Sequence, residues 1–144
     1  MKIPTSSTHH HALASKLVRH HEGVRSHPYC DSVGKITIGV GRNLTDRGLS
    51  VPEIETLFEN DMVIATDILD IWCPQWRTYS VNRRAALLSM AFNLGGPRLT
   101  GFKKMRAALM DEDFVAAALQ AMQSKWARQV GKRASEISEM IQKG

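Results

Sequence analysis

Residues 22–39 read EGVRSHPYCDSVGKITIG, and two acids in that stretch organise the sequence around it. Glu22 ends a helical pattern, immediately before a glycine. Helical spacing begins near Ala12, with Leu13, Leu17 and Val18 on one face, and Gly23 suits the position just past a helix end. The C-terminal end of a helix carries partial negative charge, so a carboxylate there costs about 0.3–1 kcal/mol. A residue that breaks a local preference without visible compensation is a candidate for function. Asp31 follows in a turn, where Asp is common for backbone reasons alone. The run Lys35-Ile-Thr-Ile-Gly39 alternates as a strand does, which puts the Thr37 hydroxyl on the face opposite Ile36 and Ile38.

Outward from this stretch the pattern divides the chain. Pro28, Gly34, Gly39, Gly41 and Gly48 punctuate short β-rich runs over residues 24–47, a meander of two or three strands. Ser50-Val-Pro-Glu53 is a capping box with proline in the first turn, so a helix starts there. Ile54, Leu57, Phe58, Ile64, Ile68 and Leu69 carry its 3.6-residue period, and the helix is expected to end before Cys73-Pro74. Ser80 is expected to cap a helix through Asn93 or Leu94, apolar nearly all round and stopped by Gly95-Gly-Pro97. Thr100, Asp111 and Ser124 read as N-caps of three shorter helices, and Gly131 precedes a last one to about Ile141.

A chain of 144 residues, 43% of them hydrophobic, supports one domain with a real core. The net charge of +5 and a pI of about 9.5 suit an anionic partner: nucleic acid, a membrane or a cell-wall polymer. Two cysteines, Cys30 and Cys73, make no disulfide framework and read as free thiols. Residues 1–11 read as a flexible leader without the apolar stretch of a secretory signal, and no window is long and apolar enough to span a bilayer. The product is therefore expected to fold in the cytosol.

All six histidines lie before residue 28: His9, His10, His11, His20, His21 and His27. His20 and His21 are adjacent and diverge on a helix, and no ligand spacing accompanies them, so zinc chemistry is disfavoured and no metal is expected. Arg83-Arg84 and the basic residues Lys125, Arg128, Lys132 and Arg133 lie in no nucleic-acid motif, and aromatics make up only 6%. A solvated face, or one that steers the protein to an anionic wall, is the better reading. A cationic amphipathic C-terminal segment that disturbs membranes without chemistry stays open as a non-enzymatic alternative.

Two acids in this arrangement suit glycoside hydrolysis. One protonated carboxyl donates to the leaving oxygen, and one ionised carboxylate stands opposite. In the inverting variant the second acts on a water, with the groups about 6.5–9.5 Å apart. A Thr37 hydroxyl near Asp31 could hold that water, although a β-branched residue also suits a strand for its own sake.

Glu22, Asp31 and Thr37, inside EG-x₇-D-x₅-TIGVG, resemble the T-even phage lysozyme and endolysin family, glycoside hydrolase family 24. The resemblance covers nearly the whole chain from about Leu13. It resumes in Leu57-Phe58 with Asp61, in Arg83-Arg-Ala-Ala-Leu87, in Ala91-Phe-Asn-Leu-Gly95 with Gly101-Phe102, and in Lys125-Trp126 followed by Arg133.

It implies an α+β, mainly α, lysozyme-like fold, with a small N-terminal β lobe and a larger helical lobe flanking a saccharide cleft. The expected division is a β lobe at about 24–49, a connecting helix at about 50–72, and a helical lobe at about 73–144 that includes the helix 12–22. The implied activity is a muramidase, cleaving the β-1,4 bond between N-acetylmuramic acid and N-acetylglucosamine in peptidoglycan. By resemblance Glu22 is the general acid, Asp31 positions or activates the water, and Thr37 helps hold it. No cofactor is implied.

Other residues carry over singly. Arg133 matches a family arginine that pairs with the acid across the cleft, and Asn93 stands where a glutamine is common and can still hydrogen-bond an N-acetyl group. Phe92 and Phe102 are candidates for the cleft floor, with core packing the better reading for both. Trp126 is read as packing rather than stacking on sugar. Arg42 replaces a family histidine that pairs with the aspartate matched by Asp61, so an Arg42–Asp61 ion pair is expected. The expected partner is bacterial peptidoglycan and not nucleic acid, for a monomer without stable membrane insertion that needs a holin for release. A lytic transglycosylase is the enzymatic alternative; Asp31 and Thr37 speak against it, because that reaction needs no water.

Overall fold

The computed structural model describes residues 8–144 and shows a mainly helical chain with one three-stranded antiparallel sheet, as the α+β expectation has it. Contacts divide the chain into two units, with the boundary after Ile54.

The first unit opens with α1, Thr8–Glu22. This corrects the expected start at Ala12: no Gly or Pro interrupts the chain from Thr8 onward, so the helix extends into the histidine run. The rest of the expected leader, residues 1–7, lies outside the described residues. Gly23 ends α1 at φ 74°, its N–H donating to the Arg19 carbonyl at 2.9 Å. Strands β1 (Arg25–Cys30), β2 (Ile36–Gly39) and β3 (Arg42–Asn43) then form the sheet in the order β1-β2-β3.

The β1–β2 register pairs Tyr29 with Thr37 and Cys30 with Ile36, and the β2–β3 register pairs Thr37 with Asn43. Asn43 also caps the one-turn helix α2 (Leu44–Arg47), accepting from the Asp46 N–H. Ser50 and Glu53 make the expected capping box: the Ser50 N–H donates to Glu53 Oε2 at 2.8 Å, and the Glu53 N–H donates to Ser50 Oγ at 3.4 Å. The helix they start, α3, runs Val51–Trp72 and ends, as expected, before Cys73-Pro74.

The second unit packs around α4 (Val81–Leu99), started by Ser80 as expected. Its residues Ala86, Leu87, Met90, Ala91 and Leu94 are buried in one core cluster with Leu69 and Trp72 of α3 and Ala134, Ile137 and Ile141 near the C-terminus. Gly95, at φ 73° and ψ 169°, breaks the helical backbone where the Gly-Gly-Pro stop was expected, and a short helical segment continues to Leu99. Helices α5 (Lys103–Met110), α6 (Phe114–Met122), α7 (Lys125–Val130) and α8 (Lys132–Lys143) complete it.

Ser124 caps α7 as expected, but two other caps differ. Thr100 turns back to the Pro97 carbonyl at 2.7 Å and leaves the start of α5 to Phe102. Asp113 rather than Asp111 caps α6, because Asp111 still closes α5 and the left-handed Glu112, at φ 54°, turns the chain between them. Both cysteines are free thiols, Cys30 exposed and Cys73 buried.

Candidate active site

Glu22, Asp31 and Thr37 all lie in the first unit, on α1, the β1–β2 turn and β2. Glu22 is the last residue of α1 and is exposed, and among the described residues its carboxylate carries no hydrogen bond or ion pair. It lies over the backbone of Gly41: a Cβ added there would meet Glu22 Oε2 at 2.7 Å and Cδ at 2.9 Å. Gly41 also sits at φ 67° in the β2–β3 turn, a backbone that favours glycine, and the Glu22 carboxylate occupies the space a Cβ would take. Any side chain at 41 would displace the carboxyl group. The sequence showed Gly41 only as a turn residue; its contact with Glu22 is long-range and leaves no local pattern.

Asp31 is built into the hairpin. Its Oδ1 accepts the N–H of Val33 at 3.0 Å and of Lys35 at 2.8 Å, while its own N–H donates to the Lys35 carbonyl at 2.9 Å. The Gly34 N–H closes onto the Asp31 carbonyl at 3.1 Å, and Gly34 takes φ 82°, the turn-plus-left-handed-residue arrangement of a short hairpin loop. Oδ2 carries no partner among the described residues. The backbone reading of Asp31 is thus correct, and it engages only one of the two carboxylate oxygens.

Thr37 is buried, 5% exposed, and its hydroxyl donates to the Lys35 carbonyl at 3.2 Å. Asp31 and Thr37 are therefore held by the same residue, Lys35, through its N–H and its C=O.

Arg42 and its partner need a correction. Its two terminal nitrogens each donate to a different oxygen of Glu53 at 2.6 Å, a bidentate fork between β3 and the first turn of α3. Asp61, the expected partner, lies roughly two helical turns further along α3, is exposed and has no ion pair among the described residues. The Arg42 fork, followed by the Ser50 N–H, holds the Glu53 carboxyl far below its ordinary 4.5, at about 2. The sequence showed Glu53 only as a capping residue; the second role was masked by the first.

A carboxyl with a lowered folded-state value stabilises fully above the unfolded value and loses that contribution as pH falls through the folded one. In urea titrations the wild type should therefore lose stability between about pH 4.5 and 2 more steeply than Glu53→Gln, which keeps the cap acceptor and loses the charge. The two variants should converge near pH 2. Parallel pH profiles would show that the pair contributes nothing.

The remaining candidates form a second cluster, inside the helical unit. Ser89 and Asn93 share one face of α4. The Trp126 indole N–H donates to Asn93 Oδ1 at 2.7 Å, and because indole is only a donor this fixes which end of the Asn93 amide faces it. Arg133 donates to the Ser89 carbonyl and hydroxyl, both at 3.3 Å. Phe102 lies edge-on to Trp126, with centroids 6.5 Å apart, and is half-buried against the core. Trp126 is 2% exposed, so packing is its role in the fold. Phe92 does not pack in the core as expected; it is 41% exposed and tilts against Phe58 at 5.8 Å.

A small antiparallel sheet followed by a helical body, with an acid ending the first helix and a second in the β1–β2 turn, defines a lysozyme-like α+β protein. Residues 19–139 match the family described as phage lysozyme, and the chain belongs to it. The probable T4-type lysozyme 2 of Dictyostelium discoideum is 24% identical over 157 residues, covering 89% of this chain and 92% of that protein. The probable T4-type lysozyme 1 of the same organism is 23% identical with the same coverage. The pre-baseplate central spike protein Gp5 of Enterobacteria phage T4 is 28% identical over 99% of this chain, which spans only 30% of the spike protein.

Proposed function

We propose that the protein is a peptidoglycan muramidase acting as an endolysin by an inverting two-carboxylate mechanism. The observation that supports this most is that the family match contains Glu22, Asp31 and Thr37, and that Glu22 and Asp31 each keep an unpartnered carboxylate oxygen among the described residues.

In the reaction, the Glu22 carboxyl gives its proton to the glycosidic oxygen as the bond to the anomeric carbon breaks. Water adds to that carbon from the opposite face, and the Asp31 carboxylate takes its proton. Thr37, tied to the same Lys35 backbone as Asp31, steadies the water side. Asn93, Phe102 and Arg133 belong to the saccharide-binding part of the proposal, with the Asn93 N–H₂ group remaining for an acetamido oxygen. A monomer acting on the wall after holin-dependent release completes the reading. No described helix is long and apolar enough to cross a membrane.

Mass spectrometry of digested sacculi tests the reaction. Reducing muramic acid ends, with the anomer inverted when trapped early, are expected. Anhydro ends would replace the hydrolase with a lytic transglycosylase.

A further inference from the structure

The peptide unit between Lys35 and Ile36 holds both residues of the proposed water side. Its carbonyl accepts from the Asp31 N–H at 2.9 Å and from the Thr37 hydroxyl at 3.2 Å. Its N–H donates to Thr45 Oγ1, on α2, at 2.8 Å. A peptide unit is planar, and a trans one, as here, points its C=O and N–H in opposite directions. Whatever fixes the N–H therefore fixes the direction of the carbonyl.

The strand ladder does not perform this task. β3 has only two residues, and its pairing with β2 stops at Thr37–Asn43. The chain then turns into α2, so the Ile36 N–H meets a side chain where a third strand residue would have stood. α2 is anchored to the hairpin on the same side. Asp46 accepts from Lys35 Nζ at 3.1 Å through Oδ1 and from Asn43 Nδ2 at 2.9 Å through Oδ2, while its N–H donates to Asn43 Oδ1 at 3.0 Å. We infer that Thr45 is a positioning residue of the proposed hydrolysis, acting not on the water but on the peptide unit that aligns Asp31 and Thr37. The inference rests on the muramidase reading for the reaction. Its geometry lies wholly within the first unit.

Thr45→Val and Thr45→Ser separate the hydroxyl from the shape of the side chain. Valine keeps the β-branch and removes the acceptor, whereas serine keeps the acceptor. Thr45 is exposed, so both variants should fold, and thermal melting checks this. Amide exchange followed by NMR on the full chain needs no turnover. The Asp31 N–H should exchange about threefold faster or more in Thr45→Val, although Asp31 lies on the opposite side of the peptide unit from Thr45. On soluble, uncrosslinked peptidoglycan strands, kcat should fall about tenfold in Thr45→Val with KM unchanged, as expected when a catalytic group is displaced but substrate contacts stay. Thr45→Ser should remain within about twofold of wild type in both readouts. Unchanged Asp31 exchange in Thr45→Val would overturn the inference, as would equal losses in the two variants or a change confined to KM. A chain that shows the exchange pattern while the wild type leaves glycan uncut would refute the muramidase reading alone.

Discussion

Glu22→Gln is expected to leave the protein folded and to slow glycan hydrolysis by about a hundred- to ten-thousandfold, the range that a positioned general acid contributes. The two halves of that expectation have separate causes. The fold is preserved because the carboxylate carries no hydrogen bond or ion pair among the described residues, and glutamine has the same shape against Gly41. Hydrolysis is lost because an amide cannot donate a proton to a departing alkoxide under ordinary conditions. Clearing of a sacculus suspension measures the rate, and thermal melting measures the fold. Lysis of whole cells adds a discriminating outcome: a cationic segment that disturbs membranes would keep lysing after this substitution. Retained hydrolysis at more than about a tenth of the wild-type rate would remove Glu22 from the mechanism.

The same residue shows how much was legible in the sequence. An acid at a helix end is a local conflict, so the sequence alone could mark Glu22. The capping box at Ser50 and the stop at Gly95 were likewise legible, because each is written in a few adjacent residues. What escaped was long-range. Gly41 reads as a turn glycine in the sequence, and only the fold brings the Glu22 carboxylate over it. Arg42 was assigned Asp61 by resemblance, yet the chain offers Glu53 in the first turn of α3, with geometry suited to a fork. The caps at Thr100 and Asp111 failed for a related reason: several residues within three positions can cap, and the path of the chain selects among them.

Asp31 calls for two substitutions, because the proposed mechanism gives its two oxygens different tasks. Asp31→Asn keeps an oxygen that can accept from Val33 and Lys35, so the turn should survive with a melting temperature close to wild type. It removes the charge that, in the proposed mechanism, takes a proton from water, and hydrolysis should fall about a hundredfold or more. Asp31→Ala removes the acceptor as well. The Lys35 N–H lies half-buried and loses its side-chain partner, a cost of about 1–2 kcal/mol that lowers the melting temperature by several degrees. If the asparagine variant is stable and inactive while the alanine variant is unstable and inactive, the turn and the chemistry separate cleanly. If the asparagine variant hydrolyses within about threefold of wild type, Asp31 serves the hairpin alone. Thr37, tied to the Lys35 carbonyl at 3.2 Å, then loses its proposed role beside Asp31, and the water side of the reaction must be sought elsewhere.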